Sequence, residues 1–275
     1  MAQSISFDVI NQRGLVLIGC GNMGSALLRG WFEHGLDAAA VTVFDPTPCD
    51  WLWRKEKRGL KLNIMPDQPP AVVVIATKPQ RVGEALEQWR EETFKHTLFV
   101  SIAAGVTLSS FETQLSPEHP VVRAMPNTPV TVAEGASAYI GNKAAQLYLP
   151  LARILLSSVG EAFELETEAQ IDAVTALSGS GPAYLFQMAE SMVYASEKLG
   201  LPPELALSLA KQTILGAGQL MSKSCKSPSE LREAVTSPGG TTQAALDILK
   251  ADENGLDTLL AHAMQAAHDR SAELG

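Results

Sequence analysis

Three glycines near residue 20 have the spacing of a phosphate-binding turn. The segment GCGNMG (19–24) follows the apolar run LVLI and opens a helical pattern. Gly19 permits a tight turn, Gly21 lets the backbone approach a pyrophosphate, and Gly24 allows a helix to pack closely on a strand. The N-terminus of that helix adds free N–H donors. The pattern therefore predicts that Gly19, Gly21, Asn22, Met23 and Gly24 bind a dinucleotide, with a purely structural glycine turn as the alternative.

A carboxylate follows at the spacing expected for a ribose ligand. Asp45 ends the apolar run VTVFD (41–45), 21 positions after Gly24. It can accept hydrogen bonds from the adenosine ribose hydroxyls, or it can simply form an Asp-Pro turn. Because a carboxylate repels a 2′-phosphate, Asp45 favours NADH over NADPH. Four cations of the next segment would reverse this preference if they reached back rather than forming a solvated helix face: Arg54, Lys55, Lys57 and Arg58.

A third feature lies at the end of the apolar run AVVVIA (71–76). The segment ATKPQ (76–80) occupies the carboxyl end of that run, which is the edge where doubly wound sheets bind ligands. We predict cofactor contacts by Ala76, Lys78 and Pro79. For Lys78 the alternative is an ordinary surface lysine.

Six short β-rich apolar runs alternate with helical stretches up to residue 165. This alternation predicts an α/β fold with a mostly parallel sheet and a Rossmann-type dinucleotide-binding domain over 1–165. The continuous apolarity of 71–76 suits a central strand covered on both faces. The runs are LVLIG (15–19), VTVFD (41–45), AVVVIA (71–76), TLFVSIA (97–103), VVRAM (121–125) and ASAYI (136–140).

From residue 166 to 275 only helical patterns remain, which predicts an all-α second domain. Ser227, Pro228 and Glu230 have the spacing of a helix start with a capping box. The helical stretches 183–199 and 204–221 are apolar or small on more than one side. A thin helical domain cannot cover such faces alone, so we expect a homodimer or higher homo-oligomer formed through this half. The alternative is a monomer whose helices pack on its own sheet.

Composition excludes several classes of protein. The formal net charge is -9, with 30 acidic and 21 basic residues and no basic run, which argues against nucleic-acid binding. No apolar run approaches the roughly 20 residues of a membrane span, and the first residues lack a leader pattern, so we expect a cytoplasmic protein. The three cysteines have no CxxC spacing and the histidines no metal-ligand spacing, so we predict no metal.

Four further segments are rich in turn formers beside apolar strands or helices: SIAAGV (101–106), RAMPNTP (123–129), SGSGPAY (178–184) and SPGGTT (237–242). Together with GCGNMG and ATKPQ they occur in the order of the characteristic motifs of pyrroline-5-carboxylate reductases. The sequence resembles that family over residues 15 to 272, and SPGGTT is its most specific motif.

The resemblance implies an N-terminal Rossmann domain, a helical domain that dimerises by interleaving, and NAD(P)H-dependent reduction of 1-pyrroline-5-carboxylate to L-proline. It places the substrate between the nicotinamide and the SPGGTT loop, which in this arrangement can come from the other subunit. It also implies a cofactor contact by Ala103. Contacts by Met125 and Asn127 are implied as well, and for these two a purely structural role in a strand-end turn is an equal alternative. SGSGPAY is expected to be architectural.

The chemistry of this substrate requires an anion site, a hydrogen-bonding group at the ring nitrogen, and a hydride donor facing the imine carbon. In the loop that Ser237 opens, Gly239, Gly240 and Thr241 can turn backbone N–H groups toward a carboxylate. Thr242 then offers a hydroxyl to the imine nitrogen and is the predicted catalytic residue. Precise placement of reactants contributes about 7–11 kcal/mol without a strong acid, so no catalytic histidine is needed.

The sequence departs from the family's pattern at two places. The short, proline-rich segment 63–70 has no recognisable counterpart of the asparagine that many relatives place near the ribose phosphate. Cys225 stands where some relatives have an acidic residue.

Two alternative functions stay open. One is a β-hydroxyacid dehydrogenase-like reductase, with Lys198 or Lys211 as its catalytic lysine, and the other is an inactive dinucleotide-binding regulator.

Overall fold

An eight-stranded sheet organises the first part of the chain. In the computed structural model, which describes residues 6–274, the strand order is β3-β2-β1-β4-β5-β6-β7-β8, and all neighbours are parallel except β6 and β7. The predicted mostly parallel sheet is therefore confirmed. The strands are β1 (Leu15–Ile18), β2 (Val41–Phe44), β3 (Lys61–Leu62), β4 (Val72–Ile75), β5 (Leu98–Ser101), β6 (Val121–Met125), β7 (Gly135–Gly141) and β8 (Gly160–Glu164).

Within residues 6–274, seven α-helices occur before residue 180 and five after it. A π-helical turn, Thr175–Gly179, separates the two groups. The helices are α1 (Asp8–Arg13), α2 (Asn22–Glu33), α3 (Asp50–Glu56), α4 (Val82–Leu86), α5 (Leu108–Gln114), α6 (Leu149–Ser157), α7 (Gln170–Val174), α8 (Gly181–Lys198), α9 (Pro203–Lys223), α10 (Pro228–Ala234), α11 (Thr241–Leu249) and α12 (Leu256–Glu273).

The chain divides into two compact units. The first contains the described residues up to Gly179 and the end of the chain from His268, and the second runs from Ser180 to Ala267. Ser271 of the terminal segment donates a hydrogen bond to Asp172 of the first unit at 2.7 Å. The compact units thus change at residue 179, whereas the functional domain boundary at 165 stays a prediction.

The sheet is covered on both faces, as parallel strands require. Leu15 and Leu17 of β1 belong to one apolar cluster, while Val16 and Ile18 belong to the other. The valines and isoleucine of β4 alternate in the same way. This alternation explains why 71–76 reads as a continuous apolar run.

The helical unit has little core of its own. Among the described hydrophobic residues of 180–267, only Ala206 and Ala210 are buried, whereas large side chains such as Phe186 and Leu215 are exposed. Helix α10 begins with the predicted capping box, in which Ser227 and Glu230 exchange hydrogen bonds. In residues 6–274 no helix is long and apolar enough to span a membrane.

Candidate active site

A cleft of about 600 Å³ opens at the carboxyl ends of β1 and β4. The chain order of the sheet reverses between these two neighbouring strands, and doubly wound folds bind ligands at this switch point. Four residues predicted to bind the cofactor line the cleft: Gly19, Gly21, Asp45 and Lys78. The structure thus brings together segments that are far apart in sequence.

The geometry of the loop explains why glycine occupies two of its three glycine positions. Gly19 has a φ of +89°, and an added Cβ would lie 2.8 Å from the carbonyl oxygen of Ala76. A Cβ on Gly24 would lie 2.4 Å from the Gly19 carbonyl oxygen. By contrast, a Cβ on Gly21 would meet nothing within 4 Å. Gly19 and Gly24 are therefore required by the loop itself, whereas Gly21 leaves open space in the cleft.

The Asp45 carboxylate also lines the cleft and is held by backbone donors. Its Oδ2 accepts a hydrogen bond from Cys20 N at 2.8 Å, and its Oδ1 accepts one from Thr47 N at 2.8 Å. Oδ1 also accepts a longer hydrogen bond from Thr47 Oγ1 at 3.4 Å, whereas Oδ2 keeps a second lone pair for another donor. The carboxylate is therefore fixed beside the glycine loop and can still accept bonds from ribose hydroxyls.

Asn63 and Thr77 also line the cleft, although neither was predicted as a ligand. The expectation that segment 63–70 offers no asparagine near the ribose is corrected, because its first residue, Asn63, reaches the cleft from the end of β3. Asn63 follows β3 with a φ of +53°, and its side-chain amide bonds both the N–H and the carbonyl of Asp45. Thr77 Oγ1 is buried without a hydrogen-bond partner within the described chain. The one available signal was the asparagine itself, since Asn tolerates left-handed backbone better than most residues.

Cys20, inside the glycine loop, is not an acid-base group. Its burial, together with the nearby charge of Asp45, raises the pKa of the thiol to about 12. The thiol therefore stays protonated at neutral pH. The role of Cys20 is instead to donate a backbone hydrogen bond to the Asp45 carboxylate.

The remaining predicted cofactor residues do not line this cleft, but they follow strands whose carboxyl ends meet at the same edge of the sheet. Asn22 and Met23 form the first turn of α2, Ala76 follows β4, and Pro79 begins a short 3-10 turn. Ala103 and Met125 lie at or just beyond the ends of β5 and β6, and both are buried. Because β1, β4, β5 and β6 are parallel neighbours, their carboxyl ends share one edge.

Asn127 has a structural role in addition to any contact with a ligand. Its side chain donates to Ser178 O at 3.0 Å and accepts from Ala136 N at 2.8 Å. These bonds connect the turn after β6 to β7 and to the π-helical turn. The interpretation of RAMPNTP as a strand-end turn is confirmed by this geometry.

The SPGGTT loop forms a tight turn that opens α11 in the helical unit. Gly239 has a φ of +70°, and Gly240 N donates to Ser237 O at 2.9 Å. The Gly240 N–H is thus used within the turn, which differs from the expectation that it faces a ligand. The first-turn N–H groups of α11, beginning at Thr241, have no intrahelical acceptor. Within residues 6–274 the Thr242 hydroxyl has no hydrogen-bond partner.

These residues fit a nicotinamide dinucleotide. The space beside Gly21 admits a backbone approach by a pyrophosphate, and the N-terminus of α2 faces the same loop with free N–H groups. The fixed carboxylate of Asp45 suits the adenosine ribose. No group of three or more His, Cys, Asp or Glu side chains suited to a metal occurs among the described residues.

Comparisons with known proteins agree with this site. A family model described as pyrroline-5-carboxylate reductase dimerisation matches residues 168–274, and one described as NADP oxidoreductase, coenzyme F420-dependent, matches residues 14–105. The chain is 42% identical to a pyrroline-5-carboxylate reductase from Pseudomonas aeruginosa over 94% of this chain and 96% of the relative.

Two solved structures share the whole fold. A pyrroline-5-carboxylate reductase from Coxiella burnetii matches with a TM-score of 0.87 and 36% identity, over 96% of this chain and 99% of that one. The pyrroline carboxylate reductase of Plasmodium falciparum, solved with NADP bound, matches with a TM-score of 0.82 and 29% identity, over 96% and 99%. The chain therefore belongs to the pyrroline-5-carboxylate reductase family of NAD(P)H-dependent oxidoreductases.

Proposed function

We propose that this protein reduces 1-pyrroline-5-carboxylate to L-proline with hydride from NAD(P)H, the last step of proline biosynthesis. The observation that carries the proposal is the glycine-lined cleft at the switch point of the sheet, in a chain that also has an intact SPGGTT turn. The cleft suits the adenosine end of a dinucleotide, and the turn suits a small acid. Family membership supports the pairing of these two sites in one enzyme.

The substrate carboxylate is assigned to the turn before α11. The left-handed conformation of Gly239 and the free N–H groups of Thr241 and Thr242 form a region of positive potential at a helix N-terminus. Gly240 contributes the shape of the turn, because its own N–H bonds Ser237. The turn is therefore not an anion site in which every consecutive N–H binds the ligand, because the N–H of Gly240 is used inside the turn.

Thr242 is assigned to the ring nitrogen. Its hydroxyl is free within the described chain and lies in the first turn of α11, next to the proposed carboxylate site. NAD(P)H, when bound, would supply a hydride to the carbon of the protonated imine, whose nitrogen already carries the proton that the amine product keeps. The Thr242 hydroxyl would accept a hydrogen bond from that N–H. The protein's own contribution is to hold the ring so that its imine carbon faces the hydride donor.

Along the sheet edge, the cofactor is assigned to Gly19, Gly21, Asn22, Met23 and Gly24 for the pyrophosphate and to Asp45 for the ribose. Ala76, Lys78 and Pro79 follow β4. Ala103, Met125 and Asn127 are assigned to the nicotinamide end, beyond β5 and β6. The successive positions of these strands along one edge support this path.

Homodimerisation is part of the proposal. The dimerisation-family match covers 168–274, and large hydrophobic side chains of the helical unit are exposed in the single chain. A second copy is the partner whose identical helices supply a matching apolar surface. The absence of nucleic-acid partners and a cytoplasmic location stay predictions from the sequence.

The proposed function is tested by mixing purified protein with 1-pyrroline-5-carboxylate and either NADH or NADPH and following nicotinamide absorbance. We expect oxidation of the cofactor that depends on the substrate, with proline as the product. Cofactor binding without any turnover would instead identify an inactive dinucleotide-binding regulator.

The β-hydroxyacid dehydrogenase alternative predicts a catalytic lysine in the helical half. Lys198 ends α8 with its ammonium 5.2 Å from the ring centroid of Tyr194, and Lys211 lies on an exposed face of α9. We expect Lys198→Met and Lys211→Met to retain turnover within about twofold, because neither ammonium has a role in imine reduction. A loss of about tenfold or more in kcat for either variant would support the alternative enzyme.

A further inference from the structure

The rim of the cofactor cleft combines a fixed carboxylate with an arginine that is already paired. We propose that this chain selects NADH over NADPH at this rim, with Asp45 as the discriminating group, Asn63 as its positioning residue, and Glu84 as the residue that neutralises Arg81. The proposal rests on the proposed use of a nicotinamide cofactor and specifies which one.

Asp45 cannot easily turn away from the site. Both carboxylate oxygens accept backbone hydrogen bonds of 2.8 Å, from Cys20 on the glycine loop and from Thr47 on the following turn. Rotating the carboxylate away would leave these two N–H groups without their acceptor, which costs free energy. A 2′-phosphate placed on the ribose would therefore meet a negative charge that stays in place.

Asn63 fixes the backbone of Asp45 through two hydrogen bonds. Its Oδ1 accepts from Asp45 N at 2.9 Å, and its Nδ2 donates to Asp45 O at 3.0 Å. Its own N–H donates to Val43 O at 2.9 Å and continues the pairing of β3 with β2. This single residue thus connects the short strand β3 to the position of the discriminating carboxylate. It acts through Asp45.

The four cations of residues 54–58 do not line the cleft, whereas Arg81 does, and its guanidinium is paired with Glu84. Its Nε and Nη2 lie 3.2 and 3.3 Å from the two carboxylate oxygens of Glu84, one helical turn away. This bidentate geometry is the same one that arginine uses to bind phosphate. The Glu84 hydrogen bond and charge raise the pKa of Arg81, and Asp45 adds to this effect.

The remaining basic residue on the cleft does not discriminate between the cofactors. Lys78 lines the cleft next to Thr77 at the carboxyl end of β4. A positive charge at this strand end favours the pyrophosphate, which NADH and NADPH share. Selectivity therefore depends on the rim formed by Asp45, Asn63, Arg81 and Glu84.

The test measures binding without turnover. Calorimetric titration compares ADP-ribose with 2′-phospho-ADP-ribose, which differ only by the phosphate and lack the nicotinamide. For the wild-type protein we expect ADP-ribose to bind at least about tenfold more tightly, a difference typical of one unfavourable charge contact. Equal affinity, or tighter binding of the 2′-phosphorylated fragment, overturns the proposal.

Asn63→Gly tests the positioning role. Glycine keeps the left-handed conformation and the N–H bonded to Val43, and it removes only the side-chain amide. We expect the preference for ADP-ribose to fall about threefold or more while the charge of Asp45 is retained. A uniform loss of both affinities, or an unchanged preference, would show that Asn63 does not position the carboxylate. A thermal melt establishes that the variant is folded.

Glu84→Gln tests the paired arginine. Releasing Arg81 should raise affinity for 2′-phospho-ADP-ribose about threefold to tenfold more than it raises affinity for ADP-ribose, because only the former has a phosphate at the rim. Glu92→Gln is the matched control, since it breaks the pair between Glu92 and Lys95, which has the same i,i+3 spacing but lies outside the cleft. Equal effects of the two variants contradict the role of Glu84.

The outcomes separate this proposal from the proposed function. If the fragments bind with the expected preference but 1-pyrroline-5-carboxylate is not reduced, the selectivity proposal stands and the proposed reaction is wrong. If reduction occurs and NADPH is the better cofactor, the reaction stands and the selectivity proposal is overturned. If neither fragment binds, both the cleft assignment and the selectivity proposal are wrong.

Discussion

Gly21→Ala should lower the affinity for the nicotinamide cofactor about hundredfold, or about 2.7 kcal/mol, without lowering the melting temperature. The added methyl group meets no protein atom within 4 Å, and Gly21 has an ordinary φ of -70°. It would instead occupy the space through which a pyrophosphate approaches the backbone. Calorimetry with NADH, together with a thermal melt, measures both quantities.

Gly24→Ala provides the contrasting variant, because its methyl group would lie 2.4 Å from the Gly19 carbonyl oxygen. Overpacking of this kind costs about 1–3 kcal/mol of folding free energy. We therefore expect a lower melting temperature for Gly24→Ala alone. Unchanged cofactor affinity in Gly21→Ala would place the pyrophosphate elsewhere.

Thr242→Val should lower kcat about hundredfold, the range expected when one positioned hydrogen-bonding group is removed from a reaction centre. Valine has nearly the shape of threonine but lacks the hydroxyl assigned to the ring nitrogen. Thr242 is assigned to the ring nitrogen and to no atom of the cofactor, so only the imine loses a hydrogen-bonding partner in this variant. We therefore expect the Kd for NADH to stay within about twofold, a change of no more than about 0.4 kcal/mol.

Thr242→Ser provides the conservative variant for this experiment. Serine retains the hydroxyl in the first turn of α11, so most of the rate should return. Single-turnover kinetics separate the chemical step from product release. A parallel loss of cofactor affinity in the valine variant, or full activity without the hydroxyl, would show that Thr242 has a different role.

The strands and the cofactor loop were predictable because their signals are local. The apolar runs at 15–19, 41–45 and 71–76 and the three glycines specify a strand, a turn and a helix within a few neighbouring residues. The capping box at Ser227 and Glu230 is equally local and was confirmed. In such segments each residue type is tied to a conformation by simple sterics or by a single hydrogen bond.

Other features depend on contacts between distant residues and could not be read from sequence. Strand β3 has only two residues, and β8 is largely exposed, so neither produces a clear periodic pattern. The hydrogen bonds of Asn63 to Asp45 cross 18 positions. The ion pair of the buried Arg123 with the partly buried Glu168 spans 45 positions. Such pairings appear only once the sheet has brought the segments together.

The sequence predicted that SPGGTT forms a turn, but not which of its N–H groups stay free. The sequence indicated that Gly239, Gly240 and Thr241 would all direct N–H groups to the substrate. In the fold, the Gly240 N–H bonds Ser237 O, while Gly239 takes the left-handed conformation. Consecutive glycines allow several turn types, and only the surrounding structure selects one of them.

In the proposed reaction, hydride passes from the nicotinamide to the imine carbon of a bound pyrroline carboxylate. The most direct measurement uses NADH that carries deuterium at both C4 positions and determines the label in the product by NMR. We predict one deuterium in proline, on the carbon that was doubly bonded to nitrogen. Unlabelled proline, or oxidation of the cofactor without formation of proline, would contradict the account.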